Sequence, residues 1–260
     1  MLGWFQKIVA PPRAVPEALW QLTLEHYPFL AGRTAAELAR LRSLTAQFLA
    51  QKQFSGAHGL VVTDEMAIAI AAQACLLVLH LGLKLYNDFK GIVVHPGAML
   101  AQRSVVDAAG VHHFYKEALV GEAMQGGPVT LSWQDVVEAG EDSERGCNVV
   151  IHEFAHKLDM HSSAGGTANG CPAQRTRAAQ AQWQATMQTA FNAFKEQLIM
   201  AERFGAPAPW LDAYGATAPA EFFAVAAEAY FVNPARFAVE FAEVKRLFDA
   251  YFGQTCSDLA

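Results

Sequence analysis

His152, Glu153 and His156 form an HExxH pattern inside a run of apolar residues. If that run is helical, four residues advance the chain by about 400°, so the two imidazoles project about 40° apart, one turn up. Both can then reach a single metal ion. Glu153 falls to one side, where it addresses a water molecule rather than a ligand position. Zinc suits such nitrogen donors: it binds histidine at about 2.0–2.1 Å and lowers the pKa of its water to about 7. A neighbouring carboxylate then takes the proton as the water attacks a carbonyl. The chemistry on offer is peptide-bond hydrolysis by zinc-activated water, with Glu153 as general base and one zinc per chain.

A pattern this short arises by chance in about 2 of 100 chains of such composition, so context has to decide. Val149, Val150, Ile151, Phe154, Ala155 and Leu158 make the helix a buried one. Two histidines and a glutamate buried there without partners would be expensive, and a metal satisfies them directly. A catalytic zinc takes a third protein ligand and leaves a fourth position open. The extension that places Gly three residues and His six residues after the second histidine is absent: those positions hold Asp159 and Ser162. His161 lies on the same helix but about 140° from His156. A carboxylate from another helix is the better candidate. Glu221 and Glu228, seven residues apart, share one face of a later helix, and their spacing leaves both open. Glu196 and Glu202 lie on a more polar helix and are expected to be solvated. Asp159 is a candidate for orienting a ligand histidine.

The elements that must position these groups follow from periodicity. Residues 1–90 read as a helical part packed on the core. Within it, Thr34 and Glu37 form a capping box ahead of Leu38, Leu41, Leu44, Phe48 and Leu49 at helical spacing. Residues 66–86 are apolar enough to suggest a membrane span, but Gln73, His80 and Lys84 interrupt them. A buried core helix, capped by Thr63 or Asp64, is expected instead. Residues 91–96, 111–120 and 127–133 read as short strands. The last, with Val129, Leu131 and Trp133 alternating with polar residues, is the clearest, and is a candidate edge for pairing with an extended peptide. Helices return after Ser132: a short one, the HExxH helix over 146–161, a long amphipathic one over 176–203 after a small-residue loop at 162–172, one opened by Pro219, and a last one after Pro234. Helices, a small sheet, then helices define an α+β fold, with residues 91–260 as the catalytic core.

Composition narrows the classes. At 260 residues, 53% hydrophobic and 17% charged, the chain can bury a sizeable core and is not a disordered segment. Cys75, Cys147, Cys171 and Cys256 show no paired spacing, which excludes a disulfide scaffold and fits reduced thiols in the cytoplasm. A net charge of −6 points to no nucleic-acid surface. The amino terminus has no basic segment ahead of a long apolar run, so no secretory signal is expected.

Four stretches carry a family resemblance: HEFAHKLDM at 152–160, GPVTLSWQDV at 127–136, DAYGATAPAEFFAV at 212–225 and QACLLVLHLGLKLY at 73–86. Together they resemble the MtfA family, named for Mlc titration factor A, over about residues 10–252. The resemblance implies a bacterial zinc-dependent peptidase of the gluzincin type, with a core similar to that of anthrax lethal factor and aminopeptidase-like activity on small substrates. It implies Glu221, in the PAE segment, as the third zinc ligand beside His152 and His156, and it singles out Tyr214, which would supply a hydrogen bond to the developing oxyanion. It also implies a partner, the glucose-regulated repressor Mlc. A repressor-binding protein with secondary peptidase activity is therefore the alternative function, and the retained Glu153 favours the enzyme.

Overall fold

The computed structural model describes residues 12–106, 112–119, 121–141, 143–162 and 167–253. The amino-terminal stretch through residue 11, Cys256, the two ends of the 111–120 strand and residues 163–166 of the 162–172 loop lie outside the described residues. In order, the chain forms α1 (Glu17–His26), α2 (Pro28–Ala31), α3 (Ala35–Gln51), β1 (Gln53–Gly56), α4 (Asp64–Leu77), β2 (Gly91–His95), β3 (Met99–Val106), β4 (His112–Leu119), β5 (Gly121–Ala123) and β6 (Val129–Ser132). Then come α5 (Trp133–Glu141), α6 (Val149–Ser162), α7 (Arg177–Phe204), α8 (Pro219–Val232), α9 (Pro234–Glu240) and α10 (Ala242–Phe252). This is the expected α+β architecture.

Local signals act where their chemistry says they should. Thr34 Oγ1 accepts the Glu37 N–H at 3.3 Å and the Glu37 carboxylate accepts the Thr34 N–H at 2.9 Å, so the capping box opens α3. Thr63, not Asp64, caps α4 by accepting the Met66 N–H at 3.2 Å. Ser132 receives the Asp135 N–H at 3.4 Å at the start of α5. The apolar run at 66–86 divides: α4 ends at Leu77, a turn follows, and Leu83–Tyr86 forms a 3-10 turn. No described helix is long and apolar enough to cross a membrane.

β1, β2 and β6 are parallel neighbours, and β5 closes the sheet antiparallel to β6, in the order β1-β2-β6-β5. Ile92 pairs with Val129 and Val94 with Leu131, and all four side chains are fully buried. That face packs on α6, which in turn packs on α4 and α8. Each such side chain contributes about 1.5–3 kcal/mol on burial. α4 and α8 are buried on nearly every side, as expected for central helices.

Four expectations need correcting. The region read as wholly helical supplies β1, whose mostly exposed side chains leave no alternation to read. The strand at 127–133 is internal, paired with β2 on one side and β5 on the other, so the candidate peptide edge is β5. The 111–120 strand pairs not with the main sheet but with β3, in a separate antiparallel hairpin. The last helix is broken at Phe241 into α9 and α10.

Candidate metal centre

Asn148 sets the start of the HExxH helix. Its Oδ1 accepts the Ile151 N–H at 2.9 Å, which is an N-cap bond to the third helical residue. The helix therefore begins at Val149, not Gly146, whose φ of +68° lies in the left-handed region that favours glycine. The same asparagine donates Nδ2–H to Gln73 Oε1 on α4 at 2.7 Å, and its backbone N–H to Glu228 on α8. Three elements are thus tied together just below the first histidine.

One turn into α6, His152 and His156 meet Glu221 from the first turn of α8. Glu221 Oε2 lies 3.1 Å from each imidazole Nε2, and the two Nε2 atoms are 3.2 Å apart. Among the described residues these three form the cluster able to hold a metal ion. Glu228, two turns along α8, takes the other side of His152: its Oε1 lies 2.7 Å from Nδ1. Glu221 and Glu228 therefore bracket one imidazole. Glu228 fixes the ring so that Nε2 faces the cluster, the usual orienting role of a carboxylate behind a ligand histidine.

The charges report the strain of this packing. Burial opposes a charge on His152, but hydrogen bonds to Glu221 and Glu228 outweigh it and hold its pKa well above the ordinary value. Burial would raise the Glu221 pKa, yet hydrogen bonds from His152 and His156 bring it down to about 2. The donor chemistry fits a cation better than it fits protons. With Nδ1–H of His152 given to Glu228, both Nε2 atoms and one carboxylate oxygen crowd into a triangle of about 3 Å. Two N–H groups aimed at one oxygen would press their hydrogens together, whereas one ion accepts all three lone pairs. Two histidine nitrogens and a carboxylate oxygen are a set that zinc accepts.

Glu153 lies against β5. It is 4% exposed, and its Oε2 has no hydrogen-bond partner. Burial raises its pKa to about 7, against the pull of His152 and His156. The backbone at Gly121 presses directly on it: a Cβ there would stand 2.4–2.8 Å from the Glu153 carboxyl group. Only glycine allows the edge strand so close. Lys157, the next residue on α6 after His156 and fully buried, donates to the carbonyls of Met124 and of Gly127, the latter at 2.8 Å. It holds the turn between β5 and β6, so α6 also places the strand edge.

A cleft of about 650 Å³ opens over these groups, lined by Gly121, Glu122, His152, Glu153, Tyr214 and Glu221 among others. Tyr214 sits on a 3-10 turn, Ala213–Ala216, capped by Asp212, whose Oδ1 accepts the Tyr214 N–H at 2.8 Å. Its ring is 45% exposed and lies 6.1 Å from the His152 ring, so it stands at the rim. His161, Glu196 and Glu202 are exposed and outside the cleft. Asp159 does not orient a ligand histidine: its carboxylate accepts backbone N–H groups of residues 169–171, and His156 Nδ1 has no hydrogen-bond partner. Sequence reasoning missed Asn148, Gln73, Gly121 and Lys157. Only Gln73, a lone amide in an apolar helix, left a visible signal.

Three donor atoms that could hold a metal ion, a buried carboxylate beside them and a strand edge against that carboxylate fit the parts of a metallopeptidase. The chain belongs to the glucose-regulated metallo-peptidase M90 family, whose profile matches residues 3–253. It is 33% identical over 254 residues to Mlc titration factor A of Yersinia pestis (strain Pestoides F), covering 98% of this chain and 90% of that protein. The same figures hold for Mlc titration factor A of Yersinia pseudotuberculosis serotype O:1b (strain IP 31758).

Proposed function

We propose that the protein is a zinc-dependent, aminopeptidase-like peptidase of the gluzincin type, in which His152, His156 and Glu221 hold the ion. The observation that carries this is the convergence of three donor atoms within about 3.2 Å, with the buried Glu153 carboxylate, its Oε2 unpartnered, beside them. Zinc, when bound, supplies a Lewis acid that activates water and polarises the scissile carbonyl. Glu153 takes the proton of the attacking water and passes it to the leaving amine. Burial raises its pKa, which favours its taking up that proton. Tyr214, at the rim, donates a hydrogen bond to the oxygen of the tetrahedral intermediate. The substrate backbone pairs with the edge of β5, and a three-residue edge suits short substrates. Glu122, Asp135, Glu138 and Asp212 line the cleft against Arg145, an acidic bias that suits a free α-amine.

A second proposed activity follows the name its relatives carry, Mlc titration factor A: this chain binds the repressor Mlc in the cytoplasm. None of the three described cysteines is in a disulfide, which suits that compartment.

The test combines zinc analysis of the purified protein with hydrolysis of amino-acid p-nitroanilides and their N-acetylated forms. One zinc per chain and turnover that acetylation abolishes are expected. Glu153→Gln should keep the zinc and lose turnover while still retaining Mlc in a pull-down. Near-normal turnover in Glu153→Gln would overturn the mechanism. Loss of Mlc binding in that folded variant would mean that the repressor occupies the cleft.

A further inference from the structure

The geometry points to Asp159 as a positioning residue for Glu221, acting through the loop at 167–172. The inference rests on Glu221 being a zinc ligand, as proposed above. Asp159 lies on α6 three residues after His156 and is fully buried. Its Oδ2 accepts the N–H groups of Asn169 and Gly170 at 2.7 and 2.6 Å, and its Oδ1 accepts that of Cys171 at 3.1 Å. Three charge-assisted bonds from consecutive residues hold that backbone in one place.

What the loop touches gives this a purpose. Gly170 has φ +79°, and a Cβ there would lie 2.5 Å from the Pro219 carbonyl oxygen. The loop backbone thus lies hard against the first residue of α8, two residues before Glu221. The Gly170 carbonyl also accepts Nε1–H of Trp183 on α7 at 2.7 Å. The loop is fastened from α6 by Asp159 and from α7 by Trp183, and it bears on the end of α8. Helix termini are where helices fray, and Glu221 is in the first turn. Its carboxylate must nevertheless stay within hydrogen-bonding distance of two imidazoles on α6. Asp159 ties the end of α8 to the helix that carries both histidines, so all three ligands share one frame.

Zinc affinity, measured by competition with a chromogenic chelator on the full chain, tests this with a double-mutant cycle over Asp159→Asn and Glu221→Ala. Asp159→Asn should weaken zinc about 10- to 100-fold, the usual cost of losing an outer partner of a ligand. In the Glu221→Ala background the same change should cost less than about threefold, because the ligand it positions is gone. Gly170→Ala, which pushes on Pro219, should behave likewise and carries the test if Asp159→Asn fails to fold. An unaltered affinity in Asp159→Asn would overturn the inference. So would an equal loss with and without Glu221, which would mean that Asp159 serves the histidines or the fold at large. If Glu221→Ala alone leaves zinc affinity unchanged, the ligand assignment fails first, and this inference falls with it.

Discussion

Replacing Glu153 by Gln should stabilise the metal-free protein at alkaline pH while destroying its catalysis. The side chain is 4% exposed, and burial raises its pKa from 4.5 to about 7. A shift of about 2.5 units corresponds to roughly 3 kcal/mol at 1.36 kcal/mol per unit. The sign follows from linkage: the folded state holds this proton more tightly than the unfolded state. The contribution is therefore complete below pH 4.5 and is lost as pH rises through 7. Above that point folding must keep a buried carboxylate charged, with one of its oxygens unpartnered. Glutamine has nearly the same shape and never charges. Glu221 titrates in both proteins, whereas His152 loses in the variant the pull of the Glu153 charge that helps to raise its pKa. Urea unfolding of both proteins in a chelator, at pH 5, 6, 7 and 8, reads this directly. The stability of the variant relative to wild type should grow by about 2–3 kcal/mol from pH 5 to pH 8. Zinc should shrink that growth, because a nearby cation favours the carboxylate. A difference independent of pH would refute the reasoning and mean that water reaches Glu153 in the folded protein.

Three further substitutions separate the parts of the site. Glu228→Gln removes the charged acceptor 2.7 Å from His152 Nδ1 and should lower zinc affinity about 10- to 100-fold, by chelator competition, with helical circular dichroism unchanged. Gly121→Ala drives a methyl group into the Glu153 carboxyl group, so kcat/KM should fall at least about tenfold while zinc content stays at one per chain. Lys157→Met frees the Met124 and Gly127 carbonyls and lets the β5–β6 turn shift, so steady-state kinetics should show a larger rise in KM than fall in kcat.

The parts of this molecule legible in its sequence are those whose signal is local. A capping box, a proline at the start of α8 and an apolar helix around HExxH each state their own geometry within a few residues. Seven-residue spacing put Glu221 and Glu228 on one face, which was right. It could not say that the two would meet the same imidazole from its two nitrogens. The strand edge was not legible at all. Alternation marks Val129 and Leu131 as strand residues, but the number of neighbours a strand has is a property of the whole sheet. β5 has three residues and no period to read. Asp159 was visible as an odd carboxylate on an apolar helix. Its partners are backbone N–H groups, which every residue but proline carries, so no side-chain pattern announces them.

The placement of polar groups inside two nearly all-apolar helices explains why so many of them answer to one another. Gln73 holds Asn148, Asn148 starts α6 and holds Glu228, and Glu228 orients His152. None of these could be buried alone without a cost of a few kcal/mol, so each is satisfied by the next. This series of bonds begins on α4 and ends on His152 Nδ1, the nitrogen opposite the one that faces Glu221. Glu153 breaks the rule, with one oxygen left unpartnered in the same interior. In the proposed mechanism, burial that raises the pKa of this acid to about 7 gives up stability at the place where a proton must move. The same helix meets the opposing demands by division along its length. Its first turns carry His152, Glu153 and His156, while Lys157 and Asp159 bind backbone in the strand turn and in the loop against α8. On the proposed function, metal affinity and substrate placement rest on separate contacts of one element, and substitutions in the two sets should change them independently.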